Sequence, residues 1–408
     1  MKLNERTGAF VLILALFFMW GFITSLNDIL IPHLKKVFDL GYSHAMLVQF
    51  AFFGAYLLVS IPASRLIGRT GYSRGIVVGL CLMAAGCATF IPSALMANYL
   101  LFLLALFVLA AGITVLQVAA NPYVTILGPA DSGSVRLNLS QGINSLAHTL
   151  APVAGTLLIL QGGDTFTAEG VIGPYTMLAL VCGLLALLFF WVKLPDAAEK
   201  QSGLGNGHIP RAFKHVWFGV LAIFLYVGIE VSIGGFIVNF LGEKSIASMP
   251  QHIAGHYVAY YWGAAMVGRF AGAWVLRYIQ SWQLLAVAAT CNLCLIGIVV
   301  IGSGSLAQWS LLSIGLFNSV MFPTIFSMAI KGLGPLTSRA SGYLVTAISG
   351  GAFVPLFQGL LADKWGVQAS FAIGFFCFGY VLWYALSWNR FLAGVAIGSS
   401  NRTDEVTT

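Results

Sequence analysis

Three ionisable side chains stand inside otherwise apolar stretches: Asp28 in TSLNDILIP (24–32), Glu230 in FLYVGIEVSIGGF (224–236) and Arg269 in GRFAG (268–272). Placing a charge at the bilayer centre costs about 2.5–3.5 kcal/mol on insertion scales, so a charge kept there points to an ion or substrate path. Thr24, Asn27, Asp28 and Ile31 share one helix side by their spacing. A carboxylate in a cavity that faces each side in turn can take up and release a proton. Asp28 is therefore the first candidate for ion coupling, and Glu230, one turn after Tyr226, the second. Each has a structural alternative: an interfacial acid for Asp28, an interhelical hydrogen bond for Glu230. Arg269 reads as a gating or structural residue, because a long cationic side chain can reach toward the inner interface.

Uncharged hydrogen-bonding groups follow the same helical spacing. Gln117 and Asn121 are four residues apart, and Asn138, Gln141, Asn144, Ser145 and His148 form a stripe on the next helix. Amides donate and accept at once, which suits the vicinal hydroxyls of a sugar. Asn27, Gln117, Asn121, Gln141 and Asn144 are the candidate substrate-binding amides, with interhelical bonding as the alternative for any one of them. An aromatic surface for the apolar ring face would come from Trp20, Tyr257, Tyr260, Tyr261 or Trp262, and Trp262 is chosen among these. No catalytic set accompanies them: His148 stands alone on its stripe, and His252 and His256 lack a third ligand. Cys291-x-x-Cys294 has no second pair and reads as packing. These observations point away from an enzyme, from a metal site and from an organic cofactor.

The elements that hold these residues must be membrane helices. Of 408 residues 59% are hydrophobic and 8% charged, against roughly a quarter charged in a soluble domain. A helix needs about 20 apolar residues to cross the hydrocarbon layer. Such stretches recur near 8–32, 46–68, 74–92, 97–125, 135–160, 173–193, 213–240, 256–278, 283–301, 305–331, 338–362 and 368–395. Runs such as FVLILALFFMWGF do not alternate as barrel strands do, so the expected fold is all-α with 12 transmembrane helices. The first stretch lacks a small-residue cleavage site and reads as a retained helix.

The net charge of +7 has a topological reading. With the N-terminus inside, fifteen of the 20 Lys and Arg residues fall in inner loops and tails, four in outer loops, and Arg269 within a helix. The positive-inside rule then puts both termini in the cytoplasm, with the bilayer and not nucleic acid as partner; the expected membrane is a bacterial inner membrane.

A polar segment at 194–212 divides the chain into six-helix bundles at 1–193 and 213–395, followed by a short polar tail at 396–408 expected to be disordered. The halves repeat. Asn121-Pro122, Leu127-Gly128-Pro129 and Arg136 recur as Phe322-Pro323, Leu333-Gly334-Pro335 and Arg339 at an offset of about 200 residues, which also sets Asp28 opposite Glu230. Repeated six-helix halves describe the major facilitator architecture with alternating access. That fold alone leaves drug or metabolite export by proton-coupled antiport open.

FFMWGFITSLNDILIPHLKKVF (17–38), LAAGITVLQVAANPYVTILGP (109–129) and RLNLSQGINSL (136–146) resemble the fucose:proton symporter family of the major facilitator superfamily, over most of the chain. The LQVAANPY form is more similar to its glucose/galactose branch. The resemblance implies import of a neutral hexose by cation symport, by a chain functional as a monomer. It also implies a coupling role for Asp28 and a sugar contact for Asn144. In the fucose permeases a second acid stands where this chain has Gln117, and an amide cannot carry a proton, so Gln117 is assigned to binding. The coupling ion is H+ or Na+. A sodium site would draw oxygens from Asp28 with Asn27, Thr24, Gln117 or Asn121.

Overall fold

The computed structural model describes residues 3–38, 42–159, 168–192, 209–210 and 213–391, with the side chains of 3–7, 27–37, 42–46, 130, 152–159, 168–169 and 252 left aside. The expected tail at 396–408, and the linker at 194–212 apart from 209–210, lie outside the described residues.

The described chain is all helix. The first six passes are α1 (Leu3–Val37), α2 (Tyr42–Thr70), α3 (Tyr72–Leu95), α4 (Tyr99–Ile126), α5 (Gly133–Ile159) and α6 (Ile172–Trp191). Three more unbroken passes follow: α7 (Lys214–Gly242), α8 (Gln251–Val275) and α9 (Ser281–Ile301). The last three passes are interrupted: α10 (Gly304–Asn318) leads into α11 (Met321–Ala329), α12 (Thr337–Thr346) into α13 (Gly350–Trp365), and α14 (Val367–Ser370) into α15 (Ile373–Leu386). The twelve expected passes of the all-α fold are therefore present, but three are not single helices.

Among the described residues, ten helical stretches are long and apolar enough to cross a membrane. The helices α5 and α8, 27 and 25 residues long, are also long enough to cross a membrane. They carry the amide stripe and the Tyr261–Arg269 segment.

Proline accounts for one interruption and for a matching feature in the first half. An α-helical N–H bonds the carbonyl four residues back, and proline has none. Pro323 thus leaves the Ser319 carbonyl without its backbone donor, where α10 gives way to α11. Arg269 Nε of α8 donates to that oxygen at 3.3 Å. Pro122 likewise frees the Val118 carbonyl inside α4, and Ser341 Oγ donates to it at 2.9 Å. The repeat-related prolines are each satisfied by a side chain from another helix, as membrane helices require.

Two compact units are distinguished by their packing: Met1–Gly133, Ser140–Asn206 and Thr337–Ser349 make the first, and Ser134–Leu139, Gly207–Leu336 and Gly350–Thr408 the second. In the first, α4 is buried almost continuously from Leu109 to Thr125. Glycines let α3 reach it: a Cβ at Gly112 would sit 2.5 Å from the Met83 nitrogen, and one at Gly86 2.5 Å from that of Leu109. Gly71, at φ 88°, makes the turn from α2 to α3 in a conformation that costs glycine little. In the second unit, α7 is the buried helix, and Gly228 and Gly350 bring α7 and α13 together.

Candidate functional site

The first unit collects the amides. Gln117 and Asn121 lie on the buried core of α4. The Gln117 Nε2 donates to the Tyr56 hydroxyl of α2 at 2.8 Å. Asn121 Oδ1 accepts from Gln141 Nε2 of α5 at 3.5 Å, a long and weak contact. Asn144 Nδ2 donates to the Phe17 carbonyl of α1 at 2.9 Å, where Gly21 leaves room for it: a Cβ at Gly21 would overlap the Asn144 side chain and carbonyl. Ser25 Oγ adds a bond from α1 to the His148 carbonyl at 3.0 Å. Helices α1, α2, α4 and α5 therefore meet at polar side chains inside an apolar unit.

One group in this cluster is left over. Asn121 has no exposed surface, and its Nδ2 has no hydrogen-bond partner. A buried donor left unmade costs about 1–3 kcal/mol. Within this cluster it is a donor open to a water or a ligand.

Asn27 and Asp28 lie on α1, with side chains outside those described, so nothing is placed around the Asp28 carboxylate. Thr24, one turn before, bonds its own helix through the Trp20 carbonyl at 2.8 Å.

The second unit holds the other charged candidates. Tyr226 donates to Glu230 Oε1 at 2.6 Å, one turn apart on α7. Across on α8, the Tyr261 hydroxyl donates to the Glu230 carbonyl at 3.5 Å and accepts from Asn318 Nδ2 of α10 at 3.0 Å. Asn318 Oδ1 in turn accepts from Asn292 Nδ2 of α9 at 3.1 Å. Arg269, two turns after Tyr261 on α8, donates its Nε to the Ser319 carbonyl at 3.3 Å. Trp262 lies half-buried beside Tyr261, its ring edge-on at a centroid distance of 5.2 Å, and packs over Gly234 of α7.

The other aromatic candidates divide by environment. Trp20 is buried against Phe17. Tyr257 and Tyr260 pack with Trp309, and Tyr260 and Trp309 are 58% and 51% exposed, the setting of an interfacial aromatic belt. Cys291 and Cys294 are free, with Cys294 exposed. Asn138 belongs to the second unit, where its Nδ2 bonds the Ser134 carbonyl.

Sequence reasoning passed over Tyr56, Asn292, Asn318 and Ser341. The two asparagines carried a signal, an amide inside an apolar run (CNLC, LFNSV). Tyr56 sits in a stretch rich in aromatic residues and carried none.

The sequence matches the Major Facilitator Superfamily over residues 10–355. The chain belongs to that superfamily. It is 52% identical to a glucose/galactose transporter of Brucella abortus (strain 9-941), covering 91% of this chain and 92% of that one. It is 33% identical to the L-fucose-proton symporter of Escherichia coli (strain K12), over 92% of each. A crystal structure of the E. coli fucose:proton symporter superposes with a TM-score of 0.86 at 31% identity, covering 94% of this chain and 99% of that one. Within the superfamily, the chain therefore stands with the glucose/galactose transporters and fucose:proton symporters, as its motifs implied. These are membrane transporters and not enzymes, and they work without an organic cofactor.

Proposed function

We propose that this facilitator imports a neutral hexose of the glucose/galactose type by symport with a cation, H+ or Na+, through alternating access. The observation that carries the reading is the amide cluster of the first unit, with the unpartnered Asn121 Nδ2 inside it. Sugar hydroxyls can accept from that donor and bond the remaining amide lone pairs and hydrogens. Gln117, Asn121, Gln141 and Asn144 are the sugar-binding amides, Asn27 joins them from α1, and Trp262 offers an apolar ring face. The names of the relatives at 52% and 33% identity support a sugar as cargo, and favour uptake over export by antiport.

Asp28 is assigned as the first ion-coupling residue and Glu230 as the second. Arg269 has a structural and gating role, through the carbonyl that Pro323 frees. A proton is the ion named for the fucose relatives; a sodium site would be built around Asp28. The protein acts as a monomer in the bacterial inner membrane, with bundles 1–193 and 213–395 joined by a cytoplasmic linker at 194–212 and both termini cytoplasmic, as the basic loops support.

The test is uptake and counterflow of labelled hexoses in proteoliposomes, once under a sodium gradient and once under a pH gradient. Concentrative uptake of glucose or galactose under one of them is expected. If neither gradient drives accumulation and no hexose competes, the proposal fails.

A further inference from the structure

Two separate side-chain links run from the neighbourhood of Glu230 to adjacent residues of α10. Along the first, Tyr261 donates to the Glu230 main-chain carbonyl in a long 3.5 Å contact, Asn318 donates to Tyr261 at 3.0 Å, and Asn292 donates to Asn318 at 3.1 Å. Along the second, Arg269, two turns after Tyr261 on the same helix, donates its Nε to the Ser319 carbonyl at 3.3 Å. Asn318 is the last residue of α10 and Ser319 the next. These are the positions at which the helix breaks because Pro323 supplies no N–H to Ser319.

The approach is close enough for such links to act. A Cβ at Gly315 would overlap the Tyr261 carbonyl, and one at Gly268 would overlap the Leu316 carbonyl and the Ser319 hydroxyl. Helices α8 and α10 thus approach backbone to backbone just before Asn318, and Gly268 also lies against the Ser319 hydroxyl just after it. Tyr261, Asn292 and Asn318 have no exposed surface, so water does not compete for these bonds. Asn292 Oδ1, at the far end of the chain, has no partner; every donor in the sequence points toward α7.

We propose that Tyr261, Asn318 and Arg269 are positioning residues that tie Glu230 to the break between α10 and α11, so that the carboxylate and the break change state together. The inference rests on the reading of Glu230 as an ion-responsive group. The titratable and charged groups that face it are Tyr226 on its own helix and Tyr261 and Arg269 on α8. Of the other elements packed on α7, α15 brings Tyr380 and Tyr384 only at the level of Phe218 and His215, three turns or more away. α13 brings Asp363 and Lys364 beyond the Gly359–Phe236 contact, while α10, α11 and α14 bring none. A coupling element needs two discrete arrangements; they are placed at this break, where a side chain stands in for a missing backbone bond.

The experiment compares the full chain with Glu230→Gln, Tyr261→Phe, Asn318→Ala, Arg269→Lys and the Tyr261→Phe/Asn318→Ala double variant in proteoliposomes. Two quantities are read: the cation concentration for half-maximal hexose accumulation, and gradient-free hexose counterflow. Tyr261→Phe keeps the ring and removes the hydroxyl; Arg269→Lys keeps the charge and removes the fork. Each single positioning variant should shift half-activation by about twofold to fivefold, the range from the weaker end to the middle of a net hydrogen bond, with counterflow within about twofold of the parent. The double variant should shift it no further, since both act along one path.

Activation curves that superimpose on the parent while Glu230→Gln loses accumulation overturn the inference alone. Additive shifts in the double variant overturn it too, as does loss of counterflow by both Tyr261→Phe and Asn318→Ala, which would make the residues merely structural. Glu230→Gln with parental, cation-driven accumulation instead removes the reading of Glu230 on which the inference stands.

Discussion

At the scale of single residues, function and stability pull apart at Asn121. Its Nδ2 is buried without a partner, and its Oδ1 has only a 3.5 Å contact with Gln141. The side chain therefore contributes little to holding the fold, and its donor costs about 1–3 kcal/mol when no ligand is bound. Asn121→Ala removes the unmet donor without adding bulk to the buried site and should leave the melting temperature within a few degrees of the parent, while weakening hexose binding about tenfold or more. Thermal denaturation in detergent and equilibrium binding would read the two effects; a large drop in melting temperature with unaltered binding would show a structural amide. Gln117 behaves in the opposite way, since its Nε2 is committed to Tyr56 at 2.8 Å. Asp28 is a different case, assigned from its place on α1 and from the family resemblance. Asp28→Asn cannot cycle a proton or pair with sodium as a carboxylate does. It should lose gradient-driven accumulation and retain sugar exchange, and unchanged concentrative uptake would remove Asp28 from the mechanism.

At the scale of elements, what could be read in the sequence was what lipid dictates, and what could not was what other helices dictate. The apolar runs gave the twelve passes because a bilayer imposes length and hydrophobicity on each helix separately. The breaks at 319–320, 347–349 and 371–372 depend on partners. Pro323 was visible, but nothing local says that Arg269, fifty residues earlier, reaches the carbonyl it frees. Gln117 and the amide stripe of α5 were legible by periodicity, whereas Asn318 and Asn292 acquire their role only when α8, α9 and α10 converge on Tyr261. The proline carbonyls give a prediction that belongs to this scale. Ser341→Ala leaves the Val118 carbonyl without its side-chain donor and should destabilise the protein by about 1 kcal/mol. In a Pro122→Ala background, where the backbone N–H returns to Val118, the same change should cost almost nothing. A double-mutant cycle on melting temperature measures the difference; equal costs in the two backgrounds would mean that Ser341 does not stand in for the missing backbone bond.

At the scale of the whole molecule, the repeat and the linker suggest two bundles, yet the first compact unit takes in Thr337–Ser349 from the later part of the chain. That segment supplies Ser341 to the Val118 carbonyl and lays Gly342 against Ser64 so closely that a Cβ there would overlap its side chain. A fragment ending in the linker would therefore contain α1 to α6 but lack the cover over α2 and α4. If 194–212 is only a tether, cutting it should not matter as long as both pieces are made together. Fragments 1–200 and 201–408, co-expressed, should reassemble and accumulate labelled hexose at a substantial fraction of the rate of the intact chain. Fragment 1–200 alone should be degraded or melt at least several degrees lower, because Val118 and Ser64 lose their neighbours. Uptake by cells making both pieces, either piece or the intact chain, with the amount of each fragment in the membrane measured alongside, decides the matter. Co-expressed fragments that are both present in the membrane but do not transport would show that the linker has a part in the cycle. A first fragment as stable alone as in the pair would show that Thr337–Ser349 adds nothing to the unit it packs into.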